Sequence, residues 1–248
     1  MDNGGAFTDR LMAGAAIAAG ARALDIGCGG GDVAFRLAAA VGDTGRVTGL
    51  DVDAAAIDRA RRAAAERGVT NAAFESRDFL DLAPSGAAFD VITCRRVLMY
   101  LPDQARAAAA MFNLLRPNGI LLVQEHDATV RHPAPDRPLA DLAQRWIWET
   151  VQREGANINT GFQLHALLSN AGFTNISLVA EAVVETQDQA AQTAGIVRVM
   201  LPRIVAAGVA TAEEIDIDTL DERLTAERLA SDGVSLVEMI FGAIARVP

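Results

Sequence analysis

The stretch Leu24-Asp25-Ile26-Gly27-Cys28-Gly29-Gly30-Gly31-Asp32 constrains the fold more than any other part of the chain. A short apolar run ends in a carboxylate, a glycine-rich turn follows, and a helical pattern opens at Asp32. Glycine turns the backbone at positive φ and leaves main chain bare enough for a ligand to lie against it. Strand, glycine turn and helix in that order form the corner of a βαβ unit whose usual occupant is a nucleotide cofactor.

The rest of the first half repeats the alternation. Strands are expected at Ala21–Ile26, Arg46–Asp51, Ala72–Glu75, Phe89–Cys94 and Ile120–Glu125. Helices are expected at Asp32–Val41, at Ala54–Arg67 with Asp53 as N-cap and Gly68 as stop, and after an Asp103 cap, ending before Pro117-Asn118-Gly119. Short connections between such units predict an α/β fold, a doubly wound and mostly parallel sheet. The second half changes character. His132-Pro133-Ala134-Pro135 with Pro138 reads as a linker. Helices are expected at Leu139–Arg153, Gln163–Ala171, Gln187–Ala207 and Thr211–Ala230, and a strand at Thr174–Val184. Ser235–Arg246 fits strand or helix. Residues 1–127 are therefore read as the cofactor-binding core. Residues 128–248 are read as cap helices plus the last strands of the same single domain.

The 248 residues suffice for such a domain with a modest insertion. A hydrophobic share of 51% argues against disorder. The net charge of −10 repels polyphosphate, so nucleic acid is not the expected partner. The two cysteines, Cys28 and Cys94, give no disulfide framework and no zinc-ligand spacing, so no metal is expected. Met1–Arg10 lacks the basic-then-apolar pattern of a leader, and runs such as Leu11–Ala19 are too short to span a bilayer. The expectation is a cytoplasmic protein, free of membrane, acting on a small molecule, with a homodimer left open.

Charge decides between cofactor classes. A dinucleotide wants Gly-x-Gly-x-x-Gly with its pyrophosphate at the helix N-terminus. Here Asp32 stands at the third glycine position and Asp25 at the mouth of the turn. Each like-charge approach at about 4 Å costs roughly 1 kcal/mol in water and more when partly buried. A cofactor carrying an ammonium and a sulfonium instead of phosphates is welcomed by the same carboxylates. Asp51, ending the next strand with Val52 after it, is placed to accept from two ribose hydroxyls, a feature both cofactor classes share. In Ser76-Arg77-Asp78-Phe79, Asp78 can accept from an adenine amino group while Phe79 covers the ring; a plain turn or cap is the alternative.

Taken together these pieces resemble the class I S-adenosylmethionine-dependent methyltransferases. Asp25-x-Gly27-x-Gly29-x-Gly31 matches the family's first motif, and Asp51 its second-strand acid. Asp78 and Phe79 match its adenine contacts, and Phe89-Asp90-Val91-Ile92-Thr93-Cys94 its fourth-strand motif. Leu115-Arg116-Pro117-Asn118-Gly119 matches its usual turn with one change. The tail looks like the type 11 and ubiquinone/menaquinone methyltransferases. The resemblance implies a seven-stranded sheet with an antiparallel last hairpin. It implies S-adenosyl-L-methionine as cofactor and S-adenosyl-L-homocysteine as product. It places Asp25, Gly27, Cys28, Gly29, Asp51, Val52, Asp78, Phe79, Cys94 and Arg95 at the cofactor.

Several of these residues have a plainer reading. For Cys28 and Cys94 the favoured plain reading is two small buried apolar side chains. Arg95 approaches the cofactor carboxylate or lies on the surface. Tyr100, the sole tyrosine, lines the pocket or packs. His126, in Glu125-His126-Asp127 at the end of the fifth strand, is a general base, a substrate-orienting group or a structural histidine. Trp146 and Trp148 are two apart on a helix, which suggests one in the core and one on a pocket wall. Arg131 and Arg137 clamp an acidic substrate or solvate the linker. Methyl transfer to an O, N or C atom of a metabolite is the expected activity. The alternatives are a methyltransferase fold that binds the cofactor as a regulator or non-methylating catalyst, and an NAD(P)-dependent oxidoreductase.

Overall fold

A computed structural model describes residues 3–82 and 89–248. The first half alternates as β1 (Arg22–Ile26), α2 (Asp32–Val41), β2 (Arg46–Asp51), α3 (Ala54–Glu66), β3 (Ala72–Ser76), β4 (Phe89–Arg95), α4 (Gln104–Leu114) and β5 (Leu115–Asp127), with α1 (Asn3–Ala15) ahead of them. The second half runs α5 (Pro138–Arg153), α6 (Thr160–Asn170), β6 (Thr174–Glu185), α7 (Thr193–Ala206), α8 (Ala212–Ile215), α9 (Ile217–Leu229) and β7 (Ser235–Arg246). The strands form one seven-stranded sheet in the order β3-β2-β1-β4-β5-β7-β6.

The first strands are parallel, and β1 and β4 are buried through their middles because both faces are covered, with polar residues chiefly at the ends. The chain builds outward from β1 to β3 and then returns to lay β4 on the other side of β1. That reversal is the switch point at which α/β sheets hold ligands, beyond the carboxyl ends of the strands. Register brings the relevant ends level: Asp25 lies opposite Thr93, Ile26 opposite Leu50 and Cys94, and Asp51 opposite Ser76. Arg95 pairs with Gln124.

Four elements depart from the sequence expectation. α1 was not foreseen; it buries Phe7, Leu11 and Ala15 at a spacing of four. Gly242 makes room for it, since a Cβ there would stand 2.6 Å from the Phe7 ring. Leu115–Gly119 falls within β5, but Asn118 keeps φ 63° and the pairing with β4 shifts from Phe89–Leu115 to Val91–Ile120, so the expected turn is kept as an irregularity in the strand. Its backbone finds partners in Val247, whose carbonyl takes the Asn118 N–H and whose own N–H goes to Gly119. α7 starts at Thr193, not Gln187. The intervening backbone is held by a turn in which Thr186 and Gln189 bond to each other and Glu185 accepts from Ala191. Thr211–Ala230 is broken into α8 and α9 at Asp216, where φ is 45°. Ser235–Arg246, which fitted either type, is a strand.

The chain divides into two compact units. One comprises Gly4–Glu125, Phe162–Val179 and Phe241–Pro248; the other is chiefly His126–Gly161 and Ala180–Ile240. The first is centred on apolar side chains of α1, α2, α3 and the parallel strands, among them Leu37, Val41, Val47, Ile57 and Leu122. In the second, α5 buries both tryptophans, Trp146 and Trp148, so neither is a half-open wall. Arg137 is fully buried against the carbonyls of Glu185 and Ser231 and the Glu185 carboxylate, and Arg131 pairs with Asp141. Neither arginine is a solvated linker residue. Among the described residues no helix is long and apolar enough to cross a membrane.

Candidate active site

The glycine turn lies between β1 and α2, and each of its glycines has a distinct task. Gly27 has φ 65°, and a Cβ on it would stand 2.2 Å from Val97 Cγ2, so its bareness serves packing. Gly31, at φ 93°, clears the rings of Phe35 and Phe74. Gly29, at φ 53°, and Gly30 face open space: a Cβ on either would meet nothing within 4 Å. These two therefore supply the bare main chain along which a ligand can lie.

Asp51 reads the turn from the neighbouring strand. Its Oδ2 accepts from Gly29 N at 2.8 Å and its Oδ1 from Asp53 N at 2.9 Å. Each oxygen keeps further acceptor capacity, so a pair of hydroxyls can still be taken. Val52 beside it leaves its aliphatic side chain 74% exposed. At the end of β3, Asp78 caps the single 3-10 turn at 79–81 by accepting from Leu80 N at 2.9 Å, and Phe79 is buried. Asp78 thus has the cap role among its readings, with one carboxylate oxygen used for it.

Asp25 is buried, with Oδ1 accepting from Thr93 Oγ1 at 2.7 Å and Oδ2 sealed without a partner. Burial pushes its carboxyl up to about 7, against the opposing pull of Thr93 and Arg95. The Arg95 guanidinium lies 2.8 Å from Asp32 Oδ2 at the start of α2 and 3.3 Å from Thr8 Oγ1 in α1. Arg95 is therefore neither loose on the surface nor unpaired. Asp32 keeps its acidic group at the helix N-terminus, where a pyrophosphate would need to sit. Burial pushes the Cys28 thiol up to about 12 and the Cys94 thiol well above its ordinary range, the latter helped by Glu125 and Asp25. Both are neutral packing groups rather than nucleophiles.

Glu125 escaped the sequence reading, which passed over it for its neighbour His126. It is fully buried, and its Oε1 accepts from Val97 N at 3.1 Å and Leu98 N at 2.8 Å. It thereby holds the segment after β4, which begins with Arg96 in the left-handed region at φ 58° and ends with the 44% exposed Tyr100. A left-handed arginine at a strand end is stored strain of the kind found at ligand sites. Burial pushes the Glu125 carboxyl from an ordinary 4.5 to about 8. An acid whose pKa is raised by folding stabilises the fold below its unfolded value, and that contribution is lost as pH rises through the folded value. The melting temperature is expected to fall between about pH 4.5 and 8. Glu125→Gln, which keeps the acceptor oxygen but cannot ionise, flattens that fall; an identical slope in thermal melts of the variant would refute the assignment. His126 itself is buried and lies against Glu238.

Residues 17–192 match the family model described as a methyltransferase domain. The chain belongs to the methyltransferase domain family. This methyltransferase-family chain is 32% identical over 191 residues to an uncharacterized 37.1 kDa protein in transposon TN4556 of Streptomyces fradiae, a match covering 76% of the chain and 54% of that protein. It is 36% identical over 116 residues to the 27-O-demethylrifamycin SV methyltransferase of Amycolatopsis mediterranei, covering 46% of the chain and 42% of that enzyme. The matches thus span about half or less of these curated relatives. The YcgJ protein of Bacillus subtilis shares the fold, with a TM-score of 0.64 at 19% identity, covering 98% of this chain and 99% of that one.

Proposed function

We propose that this methyltransferase-family chain moves a methyl group from S-adenosyl-L-methionine to a small-molecule metabolite and releases S-adenosyl-L-homocysteine. The observation that carries the reading is the Asp51 carboxylate, bonded to Gly29 N, beside two glycines with empty space where their Cβ atoms would stand. The site residues suit this cofactor in charge as well as shape. Asp32 opposes a pyrophosphate at the start of α2, whereas buried Asp25, its carboxyl pushed up to about 7, adds only part of a charge under the turn.

The cofactor supplies an electrophilic methyl on a sulfonium. Asp51 takes the ribose hydroxyls, and Val52 gives apolar cover next to them. Asp78 and Phe79 stand at the adenine end. Gly27, Cys28 and Gly29 form the turn. Asp25, Cys94 and Arg95 stand at the amino-acid end, where Arg95 can exchange Asp32 for a ligand carboxylate. Tyr100 and His126 are the candidate catalytic residues, His126 as a general base or a substrate-orienting group. In-line displacement by a neutral leaving group needs alignment and exclusion of water more than covalent help. The rifamycin-type relative acts on a metabolite oxygen by its name, which supports a small acceptor here. The acidic chain fits a cytoplasmic role without nucleic acid, as a monomer or a homodimer.

Calorimetry is expected to detect S-adenosyl-L-methionine and S-adenosyl-L-homocysteine but no nicotinamide dinucleotide. Release of labelled methyl to candidate metabolites then separates transfer from binding alone. Tight uptake of the dinucleotide and none of the sulfonium compound would end this reading.

A further inference from the structure

The segment from Arg96 to Tyr100, between β4 and α4, is pinned in its middle and open at both ends. Leu98 and Met99 are fully buried, and Val97 and Leu98 give their N–H groups to the Glu125 carboxylate. Gln104 Nε2 donates to the Leu98 carbonyl at 2.9 Å, and the Tyr100 N–H closes a turn onto the Val97 carbonyl at 3.0 Å. The two ends, Arg96 and Tyr100, are exposed. The segment lies against the glycine turn, since Val97 Cγ2 stands 2.2 Å from where a Cβ of Gly27 would be.

Arg96 carries the cost of this arrangement. Its φ is 58°, a left-handed conformation that a residue with a Cβ adopts only under strain. Its N–H is fixed on the Gln124 carbonyl at 2.8 Å. A glycine would meet the same backbone need without strain, so the turn alone does not explain an arginine here. Packing does not explain it either, because the side chain is in solvent. Among the described residues the guanidinium has no hydrogen-bond or ion-pair partner. Glu125 feels its charge but spends Oε1 on the two backbone N–H groups, and neighbouring Arg95 is taken by Asp32 and Thr8. What remains for Arg96 is a ligand, and strained residues of this kind collect where a side chain is presented to one.

We propose that Arg96 is a specificity-determining residue that takes a carboxylate group of the methyl acceptor, with Tyr100, at the other end of the same pinned segment, covering the acceptor's apolar body. The inference rests on the methyl-transfer reading and narrows it to acceptors with a single negative charge. A guanidinium meets a carboxylate with two parallel N–H bonds, which fixes orientation as well as charge. The charge count favours that group over a phosphate. One uncommitted cation balances one negative charge, and the chain's net −10 adds repulsion for each further one.

Phenylacetate and benzoate, each beside its neutral amide, serve as probes of the chain saturated with S-adenosyl-L-homocysteine. Binding is read from the ligand signals and from the Arg96 Nε–H signal of nitrogen-15-labelled arginine, assigned by its loss in Arg96→Gln. Each carboxylate is expected to bind about fivefold more tightly than its amide, the upper range for an exposed ion pair, and to shift the Arg96 signal. Arg96→Gln bears a similar backbone cost, so it should fold, and it is expected to bind acid and amide alike. Arg62→Gln removes the same charge from another exposed arginine, on α3, and should keep the preference. The proposal is overturned by equal binding of acid and amide in the wild type, by binding of neither, by a preference that survives in Arg96→Gln, or by one that is lost in Arg62→Gln. Calorimetric titration of S-adenosyl-L-methionine into the wild type keeps the two readings apart. Cofactor binding without a carboxylate preference removes only the role of Arg96, whereas a chain that takes up no cofactor loses the methyl-transfer reading itself.

Discussion

Asp51→Ala is expected to weaken S-adenosyl-L-methionine binding by about 1–3 kcal/mol, on the order of ten- to a hundredfold in Kd, because it strips a charged acceptor from two hydroxyls. The carboxylate also accepts from Gly29 N and Asp53 N, so its removal loosens the turn itself. Asp51→Asn separates the two contributions. An amide oxygen can still accept from one backbone N–H, but its NH2 cannot accept from a hydroxyl. The asparagine variant should therefore keep more of the melting temperature than the alanine variant while losing a comparable part of the affinity. Calorimetry alongside thermal melts checks both. Unchanged affinity in Asp51→Ala would remove the ribose assignment, and with it the main support for the cofactor.

The sheet was legible because parallel strands buried on both faces announce themselves as apolar runs, and because two of them carry a carboxylate at or next to the carboxyl end. Asp25 and Asp51 are visible in that way. Their partners are not. Thr93 reads as one polar residue in an apolar strand, and only the register opposite Asp25 shows that its hydroxyl steadies a buried carboxyl. Glu125 reads as a strand-end acid like any other; its role comes from accepting two N–H groups 27 and 28 residues earlier in the chain. Arg95 was visible as a candidate, but its commitment to Asp32 and Thr8 required α1, a helix that the polar start of the chain does not advertise. Leu115–Gly119 keeps its local preference inside the strand: Asn118 of Pro-Asn-Gly stands at φ 63°, and bonds to Val247 hold this irregular stretch in β5.

Two glycines of the same turn are expected to fail in opposite ways. Gly29→Val places its side chain in open space, so the folded protein bears chiefly the left-handed backbone cost of about 1–2 kcal/mol, somewhat more for a branched residue. That is a fraction of a typical stability of roughly 5–15 kcal/mol, so the variant should fold. It should also bind no measurable S-adenosyl-L-methionine, because the valine occupies the surface proposed for the ligand. Gly27→Ala carries the same backbone cost and adds a clash, with its Cβ 2.2 Å from Val97 Cγ2. Val97 is stiff at χ1 and its N–H is held by Glu125, so it cannot swing clear. Overpacking of this kind costs about 1–3 kcal/mol, for a total of roughly 2–5 kcal/mol in denaturant melts. The paired variant Gly27→Ala with Val97→Ala tests the cause. It should recover the overpacking part and leave the backbone part, a coupling of about 1–3 kcal/mol between residues in contact. If Val97→Ala recovers nothing, the cost at Gly27 lies in the backbone alone. If Gly29→Val binds as tightly as the wild type, the open space over Gly29 is not where the cofactor rests.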